Sequence, residues 1–169
     1  MIIWLNGPYG VGKSTLAEQL QVRISPSFLF DAELVGDAVR ENYPLQFFKE
    51  TYEEFPLWIQ VCCQLLKELD TVYDGCIIVP MTLIRPQSAI LIIDRLRSEN
   101  VLVKHILLEA DSETIRQRIL TRGEEEDCWC MQQIGKCIEG QKVMPCDMRI
   151  CALQSPEILA DLILEKINH

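Results

Sequence analysis

Residues 7–14, Gly7-Pro8-Tyr9-Gly10-Val11-Gly12-Lys13-Ser14, complete the pattern G-x-x-x-x-G-K-[ST] at the very start of the chain. The flanks suit the motif. Ile2-Ile3-Trp4-Leu5 is an apolar run fit for a buried strand, and Ser14-Thr15-Leu16-Ala17-Glu18-Gln19-Leu20 opens a helix. A glycine-rich turn between a strand and a helix presents backbone N–H groups and the positive end of the helix dipole to an anion. Gly7, Gly10 and Gly12 permit that turn, and Val11 and Thr15 lie against the same phosphates. Lys13 supplies a charge for the β- and γ-phosphates, and the Ser14 hydroxyl is placed to ligate Mg²⁺. The motif implies a nucleoside-triphosphate site built as a P-loop.

A chain of 169 residues, 49% of them hydrophobic, holds one domain with a substantial core, here taken as 1–169. The longest apolar stretches, Cys76–Met81 and Ala89–Ile93, are far shorter than a membrane span. With the first strand starting at Ile2, no secretory leader is expected, and the expected setting is cytoplasmic. The net charge of −9 repels nucleic acid, so no nucleic-acid partner is expected, and positive charge must be concentrated where phosphates bind. Eight cysteines stand at 62, 63, 76, 128, 130, 137, 146 and 151. Cys128-x-Cys130 is not the usual C-x₂-C of a zinc site and its spacing is not repeated, so reduced thiols are expected.

Strand and helix signals alternate along the chain. Strands are expected at 2–6, 27–31, 75–80, 101–108 and near 148–152, with helices at about 14–24, 32–42, 53–71, 86–99, 112–122, 129–140 and from Ser155-Pro156 onward. That alternation predicts an α/β fold, a parallel sheet covered on both faces, with ligands at the carboxyl ends of the strands. The long helix is expected to bury Leu57, Ile59, Val61, Leu65, Leu66 and Leu69. Ala89–Asp94 resembles a strand ending in a metal-binding acid, but Pro86 before it and Arg95-Leu96-Arg97 after it favour a helix with Asp94 on the surface.

Catalytic acids must then come from elsewhere. Asp31 ends the second strand on the P-loop's rim, where it holds a water on Mg²⁺, accepts a proton from an acceptor hydroxyl, or caps the next helix. Glu33 reads as a solvated first-turn acid. Arg118 and Arg122 share a helix face beside the acidic segment 123–127. They either bring charge over the transferred phosphoryl group or, with Arg116, pair with Glu113, Glu125 or Glu126 on the surface. Arg40 either binds an anionic acceptor or is solvated. Trp58 and Trp129 border the expected cleft, with core packing the alternative, and His105 inside a strand reads as a satisfied core histidine.

Several longer pieces recur together. They are Ile2–Gly7 with Tyr9–Lys13, Phe30–Arg40, Pro56-Leu57-Trp58, Ile77–Thr82, Arg95-Leu96-Arg97 and Leu120–Gly123. Trp129 with Gln133, Ile134, Cys137, Glu139 and Gly140 completes the set. Together they resemble the ATP-binding tunicamycin-resistance protein family across nearly the whole chain. The resemblance implies the fold of small P-loop kinases, such as shikimate kinase and the nucleoside monophosphate kinases. Their five-stranded parallel sheet runs in the order 2-3-1-4-5, with a lid here near 122–130. It also implies ATP and Mg²⁺, with Gly7 to Ser14 on the phosphates, Asp31 on the acceptor side and Arg118 and Arg122 in the lid. It further implies a pocket for tunicamycin, a uridine-containing nucleotide-sugar mimic, bordered by Asp31, Arg40, Trp58, Met81 and Thr82. Phosphorylation of the ligand and its sequestration without turnover need the same pocket, and the resemblance is compatible with both.

Overall fold

Two runs of alternating side chains build this fold from its first strand outward. In β1 (Ile2–Asn6) all five residues are buried, with Ile2 and Trp4 facing one side and Ile3 and Leu5 the other. A strand buried on both faces must be central. A computed structural model, describing residues 1–167, shows a five-stranded sheet in the order β2-β3-β1-β4-β5, every pair parallel. Here β2 is Ser27–Leu29, β3 Cys76–Pro80, β4 Val103–Glu109 and β5 Met148–Cys151. Trp4 lies opposite Val79 on one flank and His105 on the other.

One face of the sheet is covered by α1 (Lys13–Arg23) and α8 (Pro156–Ile167), whose Leu16, Ala17, Leu20, Leu159, Ala160 and Ile163 pack on Ile3, Leu5, Ile78 and Ile106. The other face receives α3 (Pro56–Val72) and the helical rod α4 (Pro86–Ala89), a π turn (Ile90–Asp94) and α5 (Arg95–Ser98). Preceding α3 is α2 (Ala32–Glu41), and α6 (Ser112–Thr121) and α7 (Trp129–Val143) lie between β4 and β5. Among the described residues no helix is long and apolar enough to cross a membrane.

The order and parallel sense agree with the sequence-based expectation, and most boundaries fall within three residues of it. The second strand is shorter than 27–31, because Asp31 leaves it to cap α2, although the Phe30 amide still donates to Ile78. The segment 86–99 is helical, with Asp94 exposed. The buried face of α3 differs from expectation. Trp58, Cys62, Cys63 and Leu66 point into the core, while Leu57 and Leu65 turn outward beside Leu34 and Ala38 of α2. Cysteine behaves as a small hydrophobe here, so counting only aliphatic side chains rotated the apparent stripe.

His105 is buried, but its Nε2 has no partner, so it is less satisfied than a core histidine should be. Burial pushes its imidazole down from the ordinary 6.5 to about 4, with Asp147 opposing and Arg97 assisting. Because the folded-state value lies below the unfolded one, His105 supports the fold fully above about pH 6.5 and withdraws that support as pH falls towards 4. Urea titrations are expected to show a loss of roughly 3 kcal/mol across that window from this group. His105→Leu should flatten it. An unchanged pH slope in the variant would assign the acid lability to other groups.

Candidate functional site

The P-loop at residues 7–12 leaves β1 and delivers its backbone to the N-terminus of α1. Gly12 is the N-cap of α1 with φ 108°, a left-handed conformation that side chains resist. No side chain caps this end, and an added Cβ would meet nothing within 4 Å. The first amides of α1 therefore face open space, the arrangement that accepts an anion. At Gly7 the constraint is contact, since a Cβ would come to 2.7 Å of the Leu108 carbonyl oxygen.

Side chains from three elements hold the loop. Asn6 is fully buried, and its Oδ1 accepts from the Gly7 amide at 2.7 Å and the Leu83 amide at 2.8 Å. Thr82 Oγ1 donates to the Gly7 carbonyl at 3.0 Å. Arg118 donates to the Val11 carbonyl at 2.7 Å and to Ala152 at 2.6 Å, tying the loop to the end of β5. Lys13 Nζ folds back to the carbonyls of Gly7 and Pro8 at 3.0 and 2.9 Å and lies 5.6 Å from the Tyr9 ring centroid. Burial lowers its pKa to about 8, with Cys137 and Glu33 opposing.

Three cavities open around this loop. A cleft of about 220 Å³ contains Ser14, Asp31 and Glu33. A cavity of about 210 Å³ on the α8 side is lined by Gly12, Thr15, Arg118, Arg122 and Gln154. The third, of about 420 Å³, is lined by Tyr9, Trp129, Arg40, Glu50, Thr51, Tyr52 and Cys130, together with Glu33. Glu33 lines both this cavity and the Ser14–Asp31 cleft, so the two adjoin. Burial and then the Asp31 charge raise the Glu33 pKa, while Lys13 opposes.

The expected site residues divide into two groups. Ser14, Asp31 and Arg40 line the cavities. Asp31 also caps α2, its Oδ1 accepting from the amides of Glu33 and Leu34, so both roles foreseen for it are compatible. Arg40 is ion-paired with Asp37 at 2.7 Å and lies 5.0 Å over the Tyr52 ring. Arg122 ends α6 beside the α8-side cavity.

Trp58, Met81, Thr82 and Arg118 are corrected. Trp58 is fully buried, and its Nε1 donates to the Ala32 carbonyl at 2.9 Å, so it is core and anchors the start of α2. Met81 packs in the same core and Thr82 is committed to Gly7. Both follow β3 directly, where the chain runs beneath the P-loop rather than into the cleft. Arg118 spends its guanidinium on two carbonyls and is a strut, and Arg116 pairs with Glu126 at 2.7 Å.

Sequence reasoning missed the wall formed by Tyr9, Glu50, Tyr52 and Cys130; Glu33 is the exposed first-turn acid that was expected, and it lines this cavity as well. Glu50 meets Gln133 at 2.7 Å and Lys136 at 2.8 Å across 83 and 86 positions, a pairing no local pattern reveals. The glutamine in the recurring segment 129–140 was the available signal. Among the described residues no group of three side chains could hold a metal by itself, so a metal here would rely on Ser14, water and phosphate oxygens.

Trp58→Phe is expected to cost about 1–2 kcal/mol in urea unfolding, the worth of the lost bond to Ala32, and Trp58→Ala about 3–5 kcal/mol. Stability unchanged by both substitutions would return Trp58 to the ligand surface.

The fold matches known structures over nearly its full length. The tunicamycin resistance protein of Deinococcus radiodurans superposes with TM-score 0.82 at 25% identity, covering 98% of this chain and 94% of that one. A sugar kinase from Janibacter sp. gives 0.72 at 15% identity, covering 99% and 94%. Shikimate kinase from Acinetobacter baumannii gives 0.63 at 20%, covering 99% and 92%. No curated protein matches the chain in sequence. The profile of the AAA domain family matches residues 3–132, the stretch carrying the P-loop, α2 and the start of α7. With that match over most of its length, and a P-loop kinase-like sheet beneath it, the chain belongs to the AAA domain family.

Proposed function

We propose that this chain is an ATP-dependent small-molecule phosphotransferase of the tunicamycin-resistance type, acting on tunicamycin or a uridine-nucleotide-like acceptor. One observation carries the reading. Glu33 lines both the cleft containing Ser14 and the 420 Å³ cavity, so a phosphate cradle and an acceptor-sized space share a wall. The named likeness to a tunicamycin resistance protein supports the choice of acceptor.

The residues fit a triphosphate: uncapped amides at the start of α1, an amine at Lys13 within the loop, and the exposed hydroxyl of Ser14. ATP supplies the transferable phosphoryl group and Mg²⁺ neutralises its developing charge. Gly7, Gly10, Val11, Gly12 and Thr15 shape the phosphate and base side, while Lys13 and Ser14 hold the β- and γ-phosphate end. Asp31, whose second carboxylate oxygen is free of the helix cap, accepts the proton from the acceptor hydroxyl. Glu33 orients that hydroxyl from the adjoining wall. Arg122, at the end of α6, leads into the segment 122–130, which acts as a lid that excludes water when ligands are bound. A cytoplasmic setting belongs to the same reading.

ATP·Mg²⁺ should raise the melting temperature, and at 100 times its dissociation constant it adds roughly 2.7 kcal/mol to the folded state. Lys13→Ala should remove most of that shift, and an unaltered shift would refute the phosphate assignment. Mass spectrometry of tunicamycin incubated with ATP and protein should show a product 80 Da heavier, the mass of HPO₃ at about one phosphoryl group per molecule. Asp31→Asn should slow its formation by about 10²–10⁴-fold while stability holds, because Asn caps a helix as well as Asp. ATP-dependent binding without a product would leave sequestration as the function.

A further inference from the structure

The charge of the acceptor cavity narrows what it can hold. Arg40 is the one basic side chain among the described residues that line it. That guanidinium is already engaged by Asp37 at 2.7 Å, and the same Asp37 oxygen accepts from Tyr52 Oη at 2.6 Å. Lys136 reaches the cavity edge only to pair with both oxygens of Glu50. Lys13 is not among the lining residues; its Nζ is bonded to the carbonyls of Gly7 and Pro8, and its charge only partly offsets that of Glu33. Glu33 has no ion-pair partner among the described residues, and Asp31 adds a second carboxylate next to it. The wall is therefore acidic in excess, and its only cation is spoken for. The remaining lining consists of the Thr51 hydroxyl, the Cys130 thiol and the rings of Tyr9, Tyr52 and Trp129.

Carboxylates accept hydrogen bonds from hydroxyl groups, and aromatic faces pack against sugar or base rings. A phosphomonoester brought to the same wall would meet like charge at the Glu33 carboxylate, which weakens its binding relative to a neutral ligand. We propose that this cavity selects uncharged polyhydroxylated acceptors and rejects phosphorylated ones, with Glu33 as the rejecting wall and Asp37 as the residue that silences Arg40. This deepens the acceptor reading above and rests on it. It separates a neutral nucleoside-like glycoside from a nucleotide sugar, two ligands that share a base and a ribose but differ in charge.

The test uses a pair differing by a single phosphate. Uridine and uridine 5′-monophosphate are titrated calorimetrically into the protein loaded with Mg²⁺ and a non-hydrolysable ATP analogue. Uridine is expected to bind at least about tenfold more tightly. Asp37→Ala, which frees Arg40, and Glu33→Gln, which removes the unpaired charge, should each shrink that ratio by about threefold or more. Equal or tighter binding of the monophosphate by the wild type would overturn the charge selection while leaving the acceptor reading intact. A ratio unchanged in both variants would also overturn it, because the selection would then not come from these residues. Binding of neither compound by protein that holds the nucleotide analogue would overturn the acceptor reading, and the selection with it.

Discussion

The side chain of Asn6 holds two loops in place at the end of the sheet. Its Oδ1 accepts from Gly7 at the mouth of the P-loop and from Leu83 just after β3, and its Nδ2 reaches the Leu83 carbonyl at 3.3 Å. The residue is fully buried, so none of these groups has water as an alternative. Thr82 doubles the link through the Gly7 carbonyl, and the buried carboxylate of Glu53 fastens the next two amides, Ile84 and Arg85. Losing the Asn6 amide would strand two buried donors at once, each costing about 1–3 kcal/mol. The shape of the phosphate cradle thus depends on polar contacts made below it, out of reach of any ligand.

The 420 Å³ cavity is assembled differently, from long-range pairs at its rim. Glu50 joins the stretch before α3 to α7 through Gln133 and Lys136, and these partners draw its carboxyl below the usual range. Trp129 at the start of α7 meets Tyr9 edge-on at 4.8 Å between ring centroids, so the P-loop, the 50–52 stretch and α7 close on one space. Exposed ion pairs of this kind add little to stability. Their effect is to orient the 50–52 stretch against α7 at the cavity rim.

Electrostatics separates the two sides. The cradle offers uncapped amides and Lys13, whose lowered pKa reflects burial with no carboxylate bonded to it. The wall of the 420 Å³ cavity offers Glu33, with Glu50 paired to Lys136 and Arg40 to Asp37. In a chain of net charge −9, the P-loop brings these amides and the Lys13 amine together in one place. Arg118 contributes to that region structurally, as the strut between Val11 and Ala152.

Much of this was readable from residues in order. The P-loop, the alternation of strand and helix, the burial of β1 on both faces and the cap at Asp31 are local or periodic properties, set by hydrogen bonding and side-chain spacing within a few residues. The resemblance carried by the longer pieces added the strand order. Local pattern did not reveal which face of α3 the cysteines would turn inward, or that Trp58 and Arg118 would find backbone carbonyls instead of ligands. Nor did it reveal that Glu33 and Glu50 would become cavity walls. Those outcomes depend on which distant groups the packing brings within 3 Å, as at Glu50 and Lys136, 86 positions apart. Motif and periodicity are local properties, whereas the satisfaction of a polar group by distant partners is decided by the whole tertiary neighbourhood, and that is why the P-loop was legible in the sequence and the 420 Å³ cavity only at Arg40 and Trp129.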